Sequence, residues 1–150
     1  MLCKHFFDRR IPTNATVLDL ACGHGEFINN IRAGRRFAVD LNPDAAQHLQ
    51  PGISFFNAPA TDLPAVGYEV ADVVFTSNFL EQLRDKKECD TVLAAVRDVF
   101  KPGGNFIVMG PSICYAYREY WDFYDQYLPL FDLSLGEGLG KQFLVTAVRQ

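Results

Sequence analysis

The chain has 150 residues, 49% of them hydrophobic and 21% charged, with a formal net charge of −4, which suits one globular domain and leaves too little for two. A mildly acidic balance argues against a nucleic-acid partner, because affinity for phosphate backbones rests on clustered Lys and Arg. No apolar run approaches the ~20 residues needed to cross a bilayer, and residues 1–10 lack the apolar stretch of a secretory signal, so a cytoplasmic address without membrane attachment is expected.

In chain order, apolar strand-like runs alternate with helix-like segments, the pattern of an α/β sheet. Strands are predicted at 16–20, 36–41, 53–57, 70–77 and 105–110, each bounded by Gly, Pro or Asn. A first helix is predicted at 26–33, and Asn42 with Pro43 supplies an N-cap and N1 pair for a second. The clearest helix is 85–100, where Cys89, Val92, Leu93, Val96, Val99 and Phe100 form one apolar face before Pro102, Gly103 and Gly104 stop it. Asp72, inside the fourth strand, is expected to tie down backbone at the strand start.

Further on, Tyr115, Tyr117, Tyr120, Trp121, Phe123, Tyr124 and Tyr127 make an aromatic stretch. It suits either a core or subunit contact or a cover over an acceptor pocket. Gly136, Gly138 and Gly140 precede a strand at 143–148, without the spacing of a phosphate-binding P-loop. Cys3, Cys22, Cys89 and Cys114 show neither a C-x-x-C pair nor histidine at ligand spacing, so reduced thiols and no metal are expected.

The chemistry concentrates where the first strand ends. Val17, Leu18, Asp19, Leu20, Ala21, Cys22, Gly23, His24, Gly25, Glu26 and Phe27 read as a buried strand entering a glycine turn, a geometry that presents backbone N–H groups to a ligand. Asp40 closes the next strand, where a carboxylate accepts hydrogen bonds from both ribose hydroxyls in a Rossmann-like fold; the competing role is a cap ahead of Asn42 and Pro43. A dinucleotide fingerprint requires a third glycine where Ile28 stands. Asp19 beside the turn also repels a pyrophosphate and suits a ligand bearing an ammonium and a sulfonium.

The run D-L-A-C-G-H-G-E-F resembles the first motif of class I S-adenosylmethionine (SAM) dependent methyltransferases, with Ala21 where the first glycine usually falls. The resemblance extends over about residues 16–111, through the segment at Ala60–Leu63, the segment after the fourth strand and the K-P-G-G turn at 101–104. It implies a Rossmann-like three-layer αβα sandwich with a mostly parallel sheet of order 3-2-1-4-5, followed by an incomplete C-terminal hairpin. It further implies that Asp19, Ala21, Gly23 and Gly25 hold the methionine end of SAM, Asp40 the ribose and Leu41 the adenine. Thr61, Asp62 and Leu63 belong to the adenine side, with Asp62 facing the adenine amino group, while Asn78 and Phe79 line the transfer centre.

SAM carries its own leaving group, so a base is needed only when the acceptor must lose a proton. His24 and Glu81 are the candidate bases; Gln82 stands where the family often has His. No N-P-P-Y sequence follows the fourth strand, which leaves small molecules or protein side chains as acceptors, a small molecule being the default. The shortened hairpin predicts an exposed sheet edge and a homodimer. A noncatalytic SAM-binding module that senses SAM or supports a partner enzyme is the alternative reading, with a small NAD-dependent oxidoreductase behind it.

Overall fold

The computed structural model describes residues 2–111 and 142–148. Its sheet is built from β1 (Thr16–Leu20), β2 (Arg35–Asp40), β3 (Ile53–Asn57), β4 (Ala71–Ser77), β5 (Phe100–Pro111) and β6 (Gln142–Val148), in the order β3-β2-β1-β4-β5-β6. The first five strands are parallel and β6 runs antiparallel to β5. The order reverses between β1 and β4, and in open α/β sheets ligands bind in the crevice at such a switch point, beyond the carboxyl ends of the strands.

Every residue of β1 is buried, as a central strand covered on both faces requires. Strand alternation divides its side chains: Leu18 and Leu20 join a cluster with Val92, Val96 and Val99 of the helix Lys86–Val99, whereas Val17 joins Phe7, Phe27, Ile28, Val73 and Phe75 on the opposite face. The three-layer arrangement follows, with the long helix on one face and the N-terminal and glycine-turn segments on the other. The N-terminal segment comprises the short helix α1 (Leu2–His5) and a 3-10 turn at Phe7–Arg9; the helix Lys86–Val99 is α2.

Segment 26–33, predicted as a helix, is a series of turns. Its helix-type bonds are isolated: Asn29 N–H donates to Gly25 O and Ile31 N–H to Phe27 O. Asn30 Nδ2 takes the Glu26 carbonyl at 2.8 Å, the acceptor that a helix reserves for the Asn30 N–H, which donates to Phe27 O instead. Asparagine commonly competes with helix in this way. After β2, Asn42 caps as expected, its side chain accepting from Asp44 N at 3.0 Å, but the element over Pro43–His48 is 3-10.

α2 starts at an Asp85 cap that accepts the Glu88 N–H at 2.8 Å. Leu93 is 41% exposed and off the buried face, and Phe100 already belongs to β5. Pro102, Gly103 and Gly104 lie within β5 as an irregularity: the register passes from Ala71 opposite Phe100 to Val73 opposite Asn105. Asp72 ties the strand starts together, accepting from Thr16 N at 2.7 Å and from Lys101 Nζ at 2.8 Å. Burial opposes its ionisation, yet these two donors and the Lys101 charge outweigh that and hold its carboxyl below the usual range.

The aromatic stretch, the glycines at 136, 138 and 140 and Cys114 lie outside the described residues. Among the described residues no helix is long and apolar enough to cross a membrane, no cluster of three metal-binding side chains occurs, and Cys3, Cys22 and Cys89 are buried free thiols.

Candidate functional site: the cleft between β1 and β4

Beyond β1 the chain takes the left-handed conformation at three alternate residues, with φ +57° at Ala21, +52° at Gly23 and +72° at Gly25. The turn is anchored by Cys22 N–H donating to Val39 O and Gly25 N–H donating to Cys22 O. At Gly23 a β-carbon would meet nothing within 4 Å, so open space lies before it. At Gly25 a β-carbon would sit 2.6 Å from Leu49 Cδ2, so that glycine serves the packing of the turn against the segment after β2. Asn78, just past β4, also has positive φ (+50°), and its N–H donates to Met109 O. Left-handed non-glycine residues concentrate at functional sites, and Ala21 and Asn78 line the same cavity.

That cavity has a volume of about 410 Å³, within the range of small-molecule sites. Its lining mixes polar residues, Asp19, His24, Glu26, Ser77 and Asn78, with apolar ones, among them Phe7, Phe27, Phe75 and Met109. Phe27 stacks on Phe75 at 3.7 Å, and Phe7 meets both edge-on at 5.3 Å. Asp19 is only 3% exposed. Burial pushes its carboxyl up to about 8, Asp40 adds to the shift, and the Ile28 N–H opposes it. Burial likewise pushes the Cys22 thiol up to about 12, with Asp19 and Asp40 contributing, so it is protonated and no nucleophile at neutral pH.

Asp40 stands at the end of β2, where it binds backbone N–H groups on both sides. Its Oδ2 accepts from Gly23 N and its Oδ1 from Asn42 N, each at 2.8 Å. Asn57 Nδ2 on β3 donates to the Asp40 and Leu41 carbonyls, and Leu41 next to them is 73% exposed, an apolar surface facing solvent.

Of the candidate residues, Asp19, Ala21, Gly23, His24 and Asn78 line the cavity, and Asp40 adjoins it through Gly23. Gly25, Leu41, Thr61, Asp62, Leu63, Phe79 and Glu81 do not line it. Leu63 is fully buried in the core, which leaves only its backbone for a ligand, and Asp62 is exposed in the loop after β3. Phe79 packs against the same core. Glu81, in the 3-10 turn Leu80–Gln82, has a buried Oε1 with no hydrogen-bond partner among the described residues, and burial raises its pKa. His24 is exposed, its ring 4.4 Å from that of His48. Ser77, in the segment after the fourth strand that the resemblance includes, also lines the cavity, as do Cys3, Phe7, Phe27, Phe75 and Met109, which the sequence does not single out as site residues. For Phe27 the adjacency to the glycine turn was a usable signal; Phe7, Phe75 and Met109 arrive from distant parts of the chain.

Comparison with known proteins agrees with this geometry. Residues 17–104 match the family described as the methyltransferase domain. Among solved structures, the chain is similar to the N-methyltransferase NodS of Bradyrhizobium japonicum in complex with S-adenosylhomocysteine (15% identity, TM-score 0.67, covering 90% of this chain and 78% of that one). It is also similar to a SAM-dependent methyltransferase of Archaeoglobus fulgidus (18%, 0.66, 99% and 93%). A third is an O-methyltransferase family protein of Burkholderia thailandensis, of which the chain spans about half (22%, 0.66, 90% and 51%). No curated protein matches the chain. The family match over more than half the chain, the 3-2-1-4-5 order and the glycine turn at the β1–β4 crevice together establish that the chain belongs to the class I SAM-dependent methyltransferases.

Proposed function

We propose that the chain transfers the methyl group of SAM to a small-molecule acceptor in the β1–β4 cleft. The observation that carries this reading is the meeting, at one end of the sheet, of a buried carboxyl (Asp19), a left-handed glycine turn and a second carboxylate (Asp40) fixed to that turn. These residues fit the cofactor: Asp19, Ala21 and Gly23 would receive its methionine end, Asp40 the ribose hydroxyls and Leu41 the adenine face. Gly25 would act by keeping the turn packed, Thr61, Asp62 and Leu63 would close the adenine side, and Asn78 with Phe79 would border the transfer centre.

Bound SAM supplies an activated methyl group, and the protein's task is to align it with the acceptor and exclude water. His24 lines the cavity and is the better placed candidate base; Glu81 does not line it. The cell compartment we propose is the cytoplasm, and the assembly a homodimer.

The test is calorimetric titration with SAM, S-adenosylhomocysteine and NAD on one preparation, followed by an acceptor screen. SAM binding is expected. NAD binding without SAM would overturn the reading, and SAM binding with no turnover on any acceptor class would point to a noncatalytic module. Asp40→Ala should weaken SAM by roughly 30-fold, about 2 kcal/mol, through loss of charge-assisted hydrogen bonds; an unchanged Kd in a folded variant would remove Asp40 from the ribose site.

A further inference from the structure

The chain has three histidines, and two of them meet. His24 belongs to the glycine turn after β1 and His48 closes the 3-10 element Pro43–His48 after β2, yet their ring centroids lie 4.4 Å apart with the planes tilted by 55°. Positions 24 and 48 are too distant in sequence for a ligand spacing to reveal them, so the pair exists only in the fold.

Two separate features hold the backbones of the pair together. Asn29 Nδ2 donates to the His48 carbonyl at 2.8 Å and reaches the His24 carbonyl at 3.5 Å, while Asn29 Oδ1 accepts the Gln50 N–H. Gly25, next to His24, lets Leu49, next to His48, come so near that a β-carbon at position 25 would lie 2.6 Å from Leu49 Cδ2. Both histidines are exposed, so each ring can turn about its side-chain bonds while its backbone stays fixed. Two imidazole nitrogens that share one ion, each about 2 Å from it, stand roughly 3 Å apart, a separation that rings already in contact reach by rotation. The surrounding charge suits a cation. Glu26 lines the same cavity as His24, Asp40 is bonded to the turn through Gly23 N–H, and no Lys or Arg is among the described residues lining that cavity.

We propose that His24 and His48 form a two-histidine site, at the lip of the β1–β4 cleft, for a single divalent transition-metal ion of the class that prefers imidazole: Zn²⁺, Ni²⁺ or Cu²⁺. Water completes the coordination, because no cluster of three metal-binding side chains occurs among the described residues, so the ion is exchangeable rather than structural. The site stands independently of the cofactor reading. Where that reading holds, the bound ion takes the one nitrogen lone pair that His24 needs as a base, and metal uptake becomes a reversible brake on transfer to acceptors that must lose a proton.

The experiment titrates the whole chain, carrying no histidine tag and with no nucleoside added, with Zn²⁺, Ni²⁺ and Mg²⁺ by calorimetry at pH 7.5. One equivalent of Zn²⁺ or Ni²⁺ should bind, and Mg²⁺, which prefers oxygen ligands, should not. His24→Gln and His48→Gln should each weaken that binding roughly tenfold through loss of two-point attachment, while His5→Gln, at the remaining histidine, should leave it unchanged. Thermal melts check that the variants fold, and if one does not, the other decides alone. No uptake by the wild-type chain would overturn the proposal, as would uptake that a folded His24 or His48 variant leaves unchanged, or Mg²⁺ held as tightly as Zn²⁺. Because no SAM is present, failure of the SAM site would leave each of these outcomes as it is.

Discussion

Ala21 holds a left-handed conformation, φ +57°, that costs an L-residue on the order of 1–2 kcal/mol, at the place where the family's motif has glycine. Ala21→Gly should relieve that strain, raising the melting temperature by roughly 2–4 °C for about 1 kcal/mol gained; a lowered melting temperature would mean that the methyl group packs usefully. Asp19 carries a second stored cost. Its carboxyl is raised to about 8 in the fold from an ordinary 3.8, so the folded protein holds a proton that the unfolded chain releases. Its contribution is fully present below about pH 4 and is lost as the pH climbs towards 8. Asp19→Asn should therefore stabilise the ligand-free protein more at pH 8.5 than at pH 6, by on the order of 2 kcal/mol; equal shifts at both pH values in thermal melts would show that Asp19 is not the titrating group. In the sequence, Asp19, the glycines and Asp40 were legible because strand and turn place them locally. The strain at Ala21 was not, since a small-for-small exchange conceals its backbone angle.

At the scale of elements, prediction succeeded where one force dominated. Buried parallel strands appear as apolar runs: β1 and β3 begin and end where expected, β2 is shifted by one residue at each end and β4 starts one residue later, whereas β5 starts five residues before its predicted start and ends one after its predicted end. Segment 26–33 follows the glycine turn, where a helix is expected, but its asparagines bond elsewhere. Asn29 illustrates the competition: Nδ2 donates to His48 O and Oδ1 accepts from Gln50 N, both at 2.8 Å, fastening the glycine turn to the chain after β2. Asn29→Ala should cost about 1–3 kcal/mol and weaken SAM by loosening that turn. Denaturant unfolding and titration of the same variant check both effects, and a variant as stable as wild type would show the two bonds to be dispensable. The 3-10 turn at Phe7–Arg9 escaped notice because its packing on Phe27 and Phe75 joins parts of the chain far apart in sequence.

For the whole molecule, the order of the sheet was inferred from a resemblance, and the structure supplies its physical basis in the pairing of β1 with both β2 and β4. β6 closes the series, paired on one side to β5, and among the described residues no strand covers its other side. An uncovered edge of that kind favours pairing with a second copy; light scattering should give twice the monomer mass, and a monomer at high concentration would exclude the dimer. The parallel strands also give the sheet two ends with separate duties. Asp72, Thr16 and Lys101 clamp the starting end, while the cleft proposed to hold the cofactor occupies the finishing end. Stability and activity often trade against each other when the same residues serve both. Here they are divided along the strands, so the clamp offers room to strengthen or weaken the fold, by selection or by design, while leaving the chemistry at the far end of the sheet as it was.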